Sequence, residues 1–328
     1  MTDLFPHSTN SLGRLYGVDG KRLSRQYRTH LSHFQNWSQL KHAKQWLLYP
    51  QNIGTHLSID ETSLSHGELY TILTNKAAKG QKGSIVAIIA GTKAETVIAI
   101  LRKIPEKLRK KVTEITLDMA GNMALIAKKC FPRATQVTDR FHVQQLALEA
   151  VQEMRVEYRW EALDAENEAL EQAKATQSEY ESPVLSNGDT LKQLLARSRY
   201  VLYKKSGDWT ESQRERATLL FDRYPDLKKA YDLSQALSQI FENTTDKLYG
   251  LARLAKWHEK VRQCGFKAFN TVARSIQNHY ETILNYFDNR STNASAESFN
   301  AKIKAFRAQF RGVKNVEFFL YRLTQLYA

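Results

Sequence analysis

Runs of β-forming residues are confined to one part of the chain, and this limits the folds that the sequence can adopt. Five such runs, at 57–60, 69–74, 84–90, 115–118 and 135–139, lie in the first half. Helical patterns at 93–104 and 122–131 separate the last three runs, and residues 144–289 carry helical patterns throughout. The sequence therefore predicts an α/β fold followed by an all-helical block.

Glycine-bearing turns join the first three β runs. Gly67 lies between the first two runs, and Gly80 and Gly83 lie between the second and third. Short glycine turns join antiparallel neighbours, so we expect an antiparallel meander here. Residues 1–50 are polar and favour helix, which predicts a small helical lead-in before the sheet.

Two of the β runs end in the same way, with an aspartate. The runs LSID at 57–60 and ITLD at 115–118 place apolar residues on one face and a hydroxyl residue with Asp60 or Asp118 on the other. The run VTD at 137–139 is a shorter version that ends in Asp139. Aspartates brought together at strand ends offer hard oxygen ligands that suit Mg²⁺. The alternative for each is a turn residue that binds its own backbone.

Polar and apolar residues alternate with helical spacing near the end of the chain. The polar face carries an acid followed by cations, Glu297, Asn300, Lys304, Arg307 and Arg311, and the opposite face carries Phe299, Ile303, Phe306 and Phe310. This helix could be an ordinary surface helix with a solvated face. It could instead supply an acid to a metal site and basic side chains, with Lys314 beyond them, to a phosphate backbone.

The composition favours an anionic partner. Lysine and arginine exceed aspartate and glutamate by 48 to 34, a net charge of +14, which favours nucleic acid. No apolar run approaches the roughly 20 residues of a membrane-spanning helix, and no signal-peptide core is apparent, so we expect a cytoplasmic protein. Cys130 and Cys264 lie far apart, which argues against disulfides and structural zinc. His142, three residues after Asp139, could reach a phosphate, a metal-bound water or that carboxylate, or could be structural.

Three long stretches carry a resemblance to a known family. They are LSIDETSLSHGELYTILTNKAAKG at 57–80, ITLDMAGNMALIAKKCFPRATQVTDRFHVQ at 115–144 and NRSTNASAESFNAKIKAFRAQFRG at 289–312. From about residue 20, the chain resembles DDE transposases of the ISL-three insertion-sequence group, in the branch called ISAon-like. The resemblance implies an RNase H-like, retroviral integrase-type catalytic domain interrupted by a large all-helical insertion. The expected parts are a lead-in at 1–50, the first part of the core at 51–150, the insertion at 151–288 and helices completing the core at 289–328.

The resemblance also implies an activity. Asp60, Asp118 and Glu297 would be the catalytic acids and would hold two Mg²⁺ ions, for which Mn²⁺ could substitute. Asp139 and His142 match an auxiliary motif of such enzymes. The implied reaction is metal-dependent cleavage of double-stranded DNA at transposon ends, followed by transfer of the 3′-hydroxyl into target DNA at the bacterial nucleoid. The residues expected to bind the DNA backbone are Lys304, Arg307, Arg311 and Lys314.

Partners follow from one departure from the group. Its longer members begin with a zinc-binding module and a helix-turn-helix that read the transposon ends, and neither is expected in this sequence. In the ISAon-like branch that the chain resembles, that region looks to be encoded as a separate small protein, so the resemblance implies a separate small DNA-binding protein that reads the ends. The need to pair two ends makes a homodimer the expected assembly. Two other functions stay open: a structure-specific nuclease or resolvase that cuts without joining, and a DNA-binding protein whose acids are structural.

Overall fold

The chain divides into two units, one built on a sheet and one made of helices. The computed structural model describes residues 7–65, 67–292, 294–309, 313 and 315–328. The sheet unit contains the described residues of Met1–Asp139 and Ser291–Ala328, and the helical unit is Arg140–Arg290. The chain thus leaves the sheet unit after residue 139 and returns at residue 291, where boundaries after residues 150 and 288 were expected.

A six-stranded mixed sheet forms the centre of the sheet unit. Its strands are β1 (Trp46–Leu48), β2 (His56–Ser65), β3 (Glu68–Asn75), β4 (Ile85–Ala90), β5 (Glu114–Leu117) and β6 (Thr135–Thr138). Their order across the sheet is β1-β4-β3-β2-β5-β6. The meander of β2, β3 and β4 is antiparallel, as predicted. β5 runs parallel to β2, and β6 runs parallel to β5.

Helices flank the sheet and form most of the helical unit. In chain order they are α1 (Thr9–Leu15), α2 (Gly20–Gln26), α3 (Ala94–Leu101), α4 (Glu106–Arg109), α5 (Gly121–Cys130), α6 (Arg140–Ala175), α7 (Leu191–Arg197), α8 (Arg199–Tyr203), α9 (Glu211–Arg223), α10 (Pro225–Asn243), α11 (Lys247–Cys264), α12 (Lys267–Asn278), α13 (Tyr280–Leu284), α14 (Tyr286–Asn289), α15 (Ala294–Gln309) and α16 (Val316–Tyr327). The helices predicted at 93–104 and 122–131 correspond to α3 and α5. Within the described residues, no helix is both long and apolar enough to cross a membrane.

Two apolar layers flank the sheet because strand residues alternate between its faces. On one face, Leu57 of β2 and Ile115 of β5 pack with the buried residues of α3 and α5. On the other face, Leu64 of β2 and Ile72 of β3 pack with the buried residues of α15 and α16. The helix at the end of the chain therefore belongs to the same core as the early strands.

The first fifty residues differ in part from the predicted helical lead-in. Residues 9–26 contain the helix pair α1 and α2. The two helices can approach closely because Gly13 has no side chain, whereas a Cβ there would lie 2.8 Å from the backbone of Gly20. Residues 46–48 instead form β1, which pairs with the outer edge of β4. Leu47 of this strand is completely buried, so burial and edge pairing decide its conformation.

The helical unit is organised around one long helix. α6 is 36 residues long and continues through the boundary expected after residue 150. α10 and α12 pack against α6, and Trp257 and Phe269 are among the buried side chains of this unit. Asp189, which is buried, accepts a hydrogen bond from Nε of Arg216 at 3.0 Å and also pairs with Arg197.

Candidate metal and DNA site

The aspartates that end the predicted strands lie in one row across the sheet. β2 and β5 pair with Ser58 opposite Thr116. Asp60 and Asp118 each follow that pair by two residues, so they lie at the same level and on the same face. The pairing of β5 with β6 continues the row to Asp139, whose backbone N–H donates to the carbonyl at the end of β5 at 2.9 Å. This face is the one that α15 covers farther along β2.

The third β run departs from the pattern expected of it. Thr138 and Asp139 are consecutive and therefore point to opposite faces, so Val137 shares the face of Asp139. The carboxyl group of Asp139 is also more deeply enclosed than the other two. Asp139 is only 1% exposed, whereas Asp60 and Asp118 are half-buried.

Local backbone contacts hold the carboxylates of the other two aspartates. Oδ1 of Asp60 accepts from the N–H of Glu61 at 2.8 Å, and Oδ1 of Asp118 accepts from the N–H of Ala120 at 2.9 Å. The second contact is the turn interaction that was the structural alternative for Asp118. This contact uses Oδ1 of Asp118 and keeps the carboxylate at the carboxyl end of β5, so a turn role and a ligand role are compatible.

The predicted two-faced helix exists as α15, and its apolar face holds it on the sheet. Phe299, Ile303 and Phe306 are each only 1% exposed and belong to one core with β2 and β3. On the polar side, Nδ2 of Asn300 donates to Oδ2 of Asp60 at 2.7 Å. This bond joins the acid-bearing helix directly to the row of aspartates. Phe310, the last member of the predicted apolar stripe, lies outside the described residues.

Glu297 lies on the first turn of α15, one helical turn before Asn300, and is exposed. The structure therefore brings α15, the helix that carries Glu297, into contact with Asp60, but among the described residues it does not assemble a complete set of metal ligands there. Across the described ranges, no group of three or more His, Cys, Asp or Glu side chains is placed to hold a single metal ion.

The basic residues predicted on the same helix have different surroundings. Lys304 is exposed. Arg307 is half-buried, and its Nη1 donates to the backbone carbonyls of Ser63 at 3.3 Å and Leu64 at 3.2 Å. Arg307 therefore anchors α15 to β2 with at least part of its guanidinium group. Arg311 and Lys314 lie outside the described residues.

His142 and Asp139 belong to different units although they are three residues apart. Asp139 is the last residue of the first segment of the sheet unit, and His142 lies on the first turn of α6 in the helical unit. The ring of His142 is half-buried and contacts Phe141 edge-on, with ring centroids 5.8 Å apart.

A largely buried lysine that the sequence pattern did not indicate lies on the same face of the sheet. Nζ of Lys76, just after β3, donates to Oγ1 of Thr116 at 2.8 Å and to Oε1 of Glu114 at 3.3 Å. Burial lowers the pKa of Lys76, and the charge of Glu114 opposes that change. Strand alternation was the available signal, since it points Glu114 to the face of Thr116 and Asp118, where a buried acid needs a cation.

The fold and the site define a mixed α/β protein with a row of aspartates, Asp60 midway along β2 and Asp118 and Asp139 directly after β5 and β6. A helix bearing an acid and bases packs beside this row. A family profile described as a transposase, of the DDE type of the ISL-three group, matches residues 57–323. Because this match covers most of the 328 residues of the chain, the chain belongs to the ISL-three family of transposases.

Individual relatives agree with that membership. The chain is 25% identical over 250 residues to the transposase for insertion sequence element IS1557 from two strains of Mycobacterium tuberculosis. The alignment covers 76% of this chain and 54% of the relative, so the chain spans about half the length of these curated relatives. A solved structure, the Drosophila P element transposase strand transfer complex, aligns over 97% of this chain and 90% of the matched chain, with 12% sequence identity. Its TM-score of 0.38 is too low to indicate a shared fold.

Proposed function

We propose that the chain is the catalytic part of a DNA transposase that cuts at transposon ends and joins the freed 3′-hydroxyl to target DNA. Family membership supports transposition as the process. The observation that carries the chemistry is the hydrogen bond from Asn300 to Asp60, because it brings the helix of Glu297 to the row that contains Asp118. Acids from three separate segments on one face suit a metal-dependent reaction on a phosphodiester.

We infer that the sheet unit is an RNase H-like, integrase-type domain and that the helical unit is its insertion. The strand order β4-β3-β2-β5-β6, with antiparallel neighbours followed by parallel ones, supports the first inference. The departure of the chain after Asp139 and its return at Ser291 support the second. β1 is an addition at the outer edge of this sheet.

Mg²⁺ is the cofactor that suits the proposed ligands Asp60, Asp118 and Glu297, because hard carboxylate oxygens are its preferred protein donors. Two ions would polarise the scissile phosphate and stabilise the leaving oxygen, and Mn²⁺ could replace them. Asn300 would keep the carboxylate of Asp60 in one orientation. Glu297, on an exposed first turn, would complete the ligand set when metal and DNA bind.

Double-stranded DNA is the proposed substrate, and the basic residues would contact its backbone. Lys304 is the best placed of those described, because it is exposed. Arg307 would contribute less, since its Nη1 already binds two carbonyls of β2. Arg311 and Lys314 stay predictions. A homodimer that pairs two ends and a separate small end-binding protein stay proposals as well.

A strand-transfer assay tests this function. The purified chain would be mixed with Mg²⁺, target DNA and a pre-cut duplex carrying the inverted repeats that flank its gene, with and without any small protein encoded beside it. We expect joined products from the wild type. Asp118→Asn should reduce joining about a thousandfold, because several kcal/mol of metal-dependent transition-state stabilisation are lost. Circular dichroism would show whether the variant keeps its fold.

The same assay separates the alternatives. Cutting without joining would favour a nuclease or resolvase. Salt-sensitive DNA binding with neither cutting nor joining would favour a binding protein. Sequence-specific binding of the repeats by the chain alone would disprove the separate end-binding protein.

A further inference from the structure

The turn that follows β3 contacts the return segment of the chain at two places. The turn comprises residues 76–80 and reverses direction through two left-handed residues, Lys79 with φ 49° and Gly80 with φ 71°. One contact is made by the side chain of Lys76 and the other by the backbone carbonyl of Gly80. Both partners lie in the part of the chain that carries α15.

The first contact is a buried polar network around Lys76. Its ammonium group donates to Thr116 and Glu114 of β5 and also to the hydroxyl of Ser291. That hydroxyl in turn donates to Oε1 of the same Glu114 carboxylate. The side chain of Lys76 is 15% exposed and that of Glu114 is 5% exposed, so the network is largely shielded from water. Three separate segments therefore meet at one ion pair.

The second contact is made in the middle of α15. Nζ of Lys302 donates to the carbonyl oxygen of Gly80 at 2.7 Å. A side chain at Gly80 would bring its Cβ within 2.9 Å of that ammonium nitrogen, so glycine provides the room for this contact as well as the left-handed backbone.

We propose that the turn at residues 76–80 positions α15 on the sheet. Lys76 fixes the segment before the helix through Ser291, and Gly80 fixes the middle of the helix through Lys302. Glu297 and Asn300 lie between these two contacts. The importance of this for catalysis rests on the proposed function, in which Glu297 is a metal ligand. Lys76 is a positioning residue, because it acts on the metal site only through the return segment.

The physical chemistry of the network supports this role over a purely stabilising one. An ammonium and a carboxylate lose much hydration on burial, and a buried ion pair often contributes little more stability than apolar side chains of similar size. Directional bonds from one ammonium to three oxygen groups do, however, select one position of the return segment. Apolar packing of Phe299 and Ile303 alone would tolerate small shifts of α15 along the sheet.

Variants can separate the positioning role from stability. Lys76→Met alone would leave Glu114 buried without its cation, so the main variant is the double change K76M/E114Q, which removes both charges. Ser291→Ala removes only the linking hydroxyl, and Ser291→Thr keeps it. Lys302→Met tests the second contact. Lys82→Met is the matched control, because Lys82 is an exposed lysine between the same two strands.

Two measurements would be made on the full chain. Hydrogen exchange of the α15 amides reports the position and tethering of the helix without any substrate. We expect about tenfold faster exchange in K76M/E114Q and Ser291→Ala, and wild-type exchange in Ser291→Thr and Lys82→Met. Mg²⁺ titration of strand transfer should show a half-saturating concentration raised about tenfold in the first two variants, with unchanged DNA affinity.

Each result decides the proposal. Faster α15 exchange together with a higher Mg²⁺ requirement in Ser291→Ala, reversed in Ser291→Thr, supports positioning by the turn. Unchanged exchange in both K76M/E114Q and Ser291→Ala overturns it, whatever the activity. If the wild type joins no DNA, the proposed function fails, while the exchange data still decide whether the turn positions the helix.

Discussion

The hydrogen bond between Asn300 and Asp60 makes a direct prediction about energetic coupling between α15 and β2. The perturbation is a double-mutant cycle of Asp60→Ala, Asn300→Ala and the double variant. If α15 lies on β2 as described, the two changes should not be additive, because each single change removes the same bond.

The magnitude follows from the geometry of this contact. The donor and acceptor atoms are 2.7 Å apart, which is typical of a hydrogen bond to a charged group. Such bonds contribute roughly 1.5–3 kcal/mol to stability. Both residues are half-buried, so water competes for the carboxylate. We therefore expect a coupling free energy of about 1.5 kcal/mol, at the lower end of the range.

The assay is urea denaturation in the absence of divalent metal, and tryptophan fluorescence monitors the unfolding. Of the five tryptophans, Trp37 and Trp46 lie in the sheet unit and the other three lie in the helical unit, so the part of the signal that comes from Trp37 and Trp46 reports the unfolding of the sheet unit. The exposed pair Lys82→Ala and Lys304→Ala provides a cycle with no expected coupling. A coupling below about 0.5 kcal/mol for Asp60 and Asn300, which is within the scatter of additive sites, would refute the placement of α15 over Asp60.

Three further predictions concern stability and reactivity. Phe306→Ala should lower the free energy of unfolding by about 3–4 kcal/mol in urea melts, because the buried ring holds α15 on the sheet, whereas exposed Gln309→Ala should change it little. Burial raises the pKa of Cys130 to about 11, so its thiol should resist iodoacetamide at pH 8 in the folded protein and react after unfolding; rapid labelling of the folded protein would contradict its burial. Burial acts to raise the pKa of Asp189, but hydrogen bonds from Arg216 and Arg197 outweigh it and lower the pKa. The ion pairs of Asp189 therefore stabilise the fold above its unfolded pKa and are lost as pH falls, so Asp189→Asn should cost about 3 kcal/mol at pH 7 and less on acidification, as pH-dependent melts would show.

The strand pattern and the final helix could be predicted because each depends on local periodicity. The alternation in LSID and ITLD gives the side of the sheet for Asp60 and Asp118, and parallel pairing then aligns them. The spacing of Phe299, Ile303 and Phe306 gives the buried face of α15 for the same reason. The side of each aspartate and the buried face of α15 need no contact between distant parts of the sequence, whereas the alignment of the two aspartates depends on the pairing of β2 with β5.

Features that depend on distant contacts could not be predicted in this way. Lys76 meets Thr116, 40 residues away, and Ser291, 215 residues away, and no local pattern encodes such separations. β1 is three residues long and becomes a strand only because the edge of β4 is available. The auxiliary role of Asp139 and His142 stays a prediction, and the change from sheet unit to helical unit falls between these two residues.

Site-directed cleavage by bound iron gives the most direct test of whether the acids of β2, β5 and α15 form one metal site. Fe²⁺ in the place of Mg²⁺, with ascorbate and peroxide, generates hydroxyl radicals that cut the backbone near the ion. With transposon-end DNA present, we expect cuts near Asp60, Asp118 and Glu297 together, reduced by excess Mg²⁺ and abolished by Asp118→Asn. Cuts at other places, or cuts near Asp60 that persist in that variant while those near Glu297 never appear, would contradict a shared site.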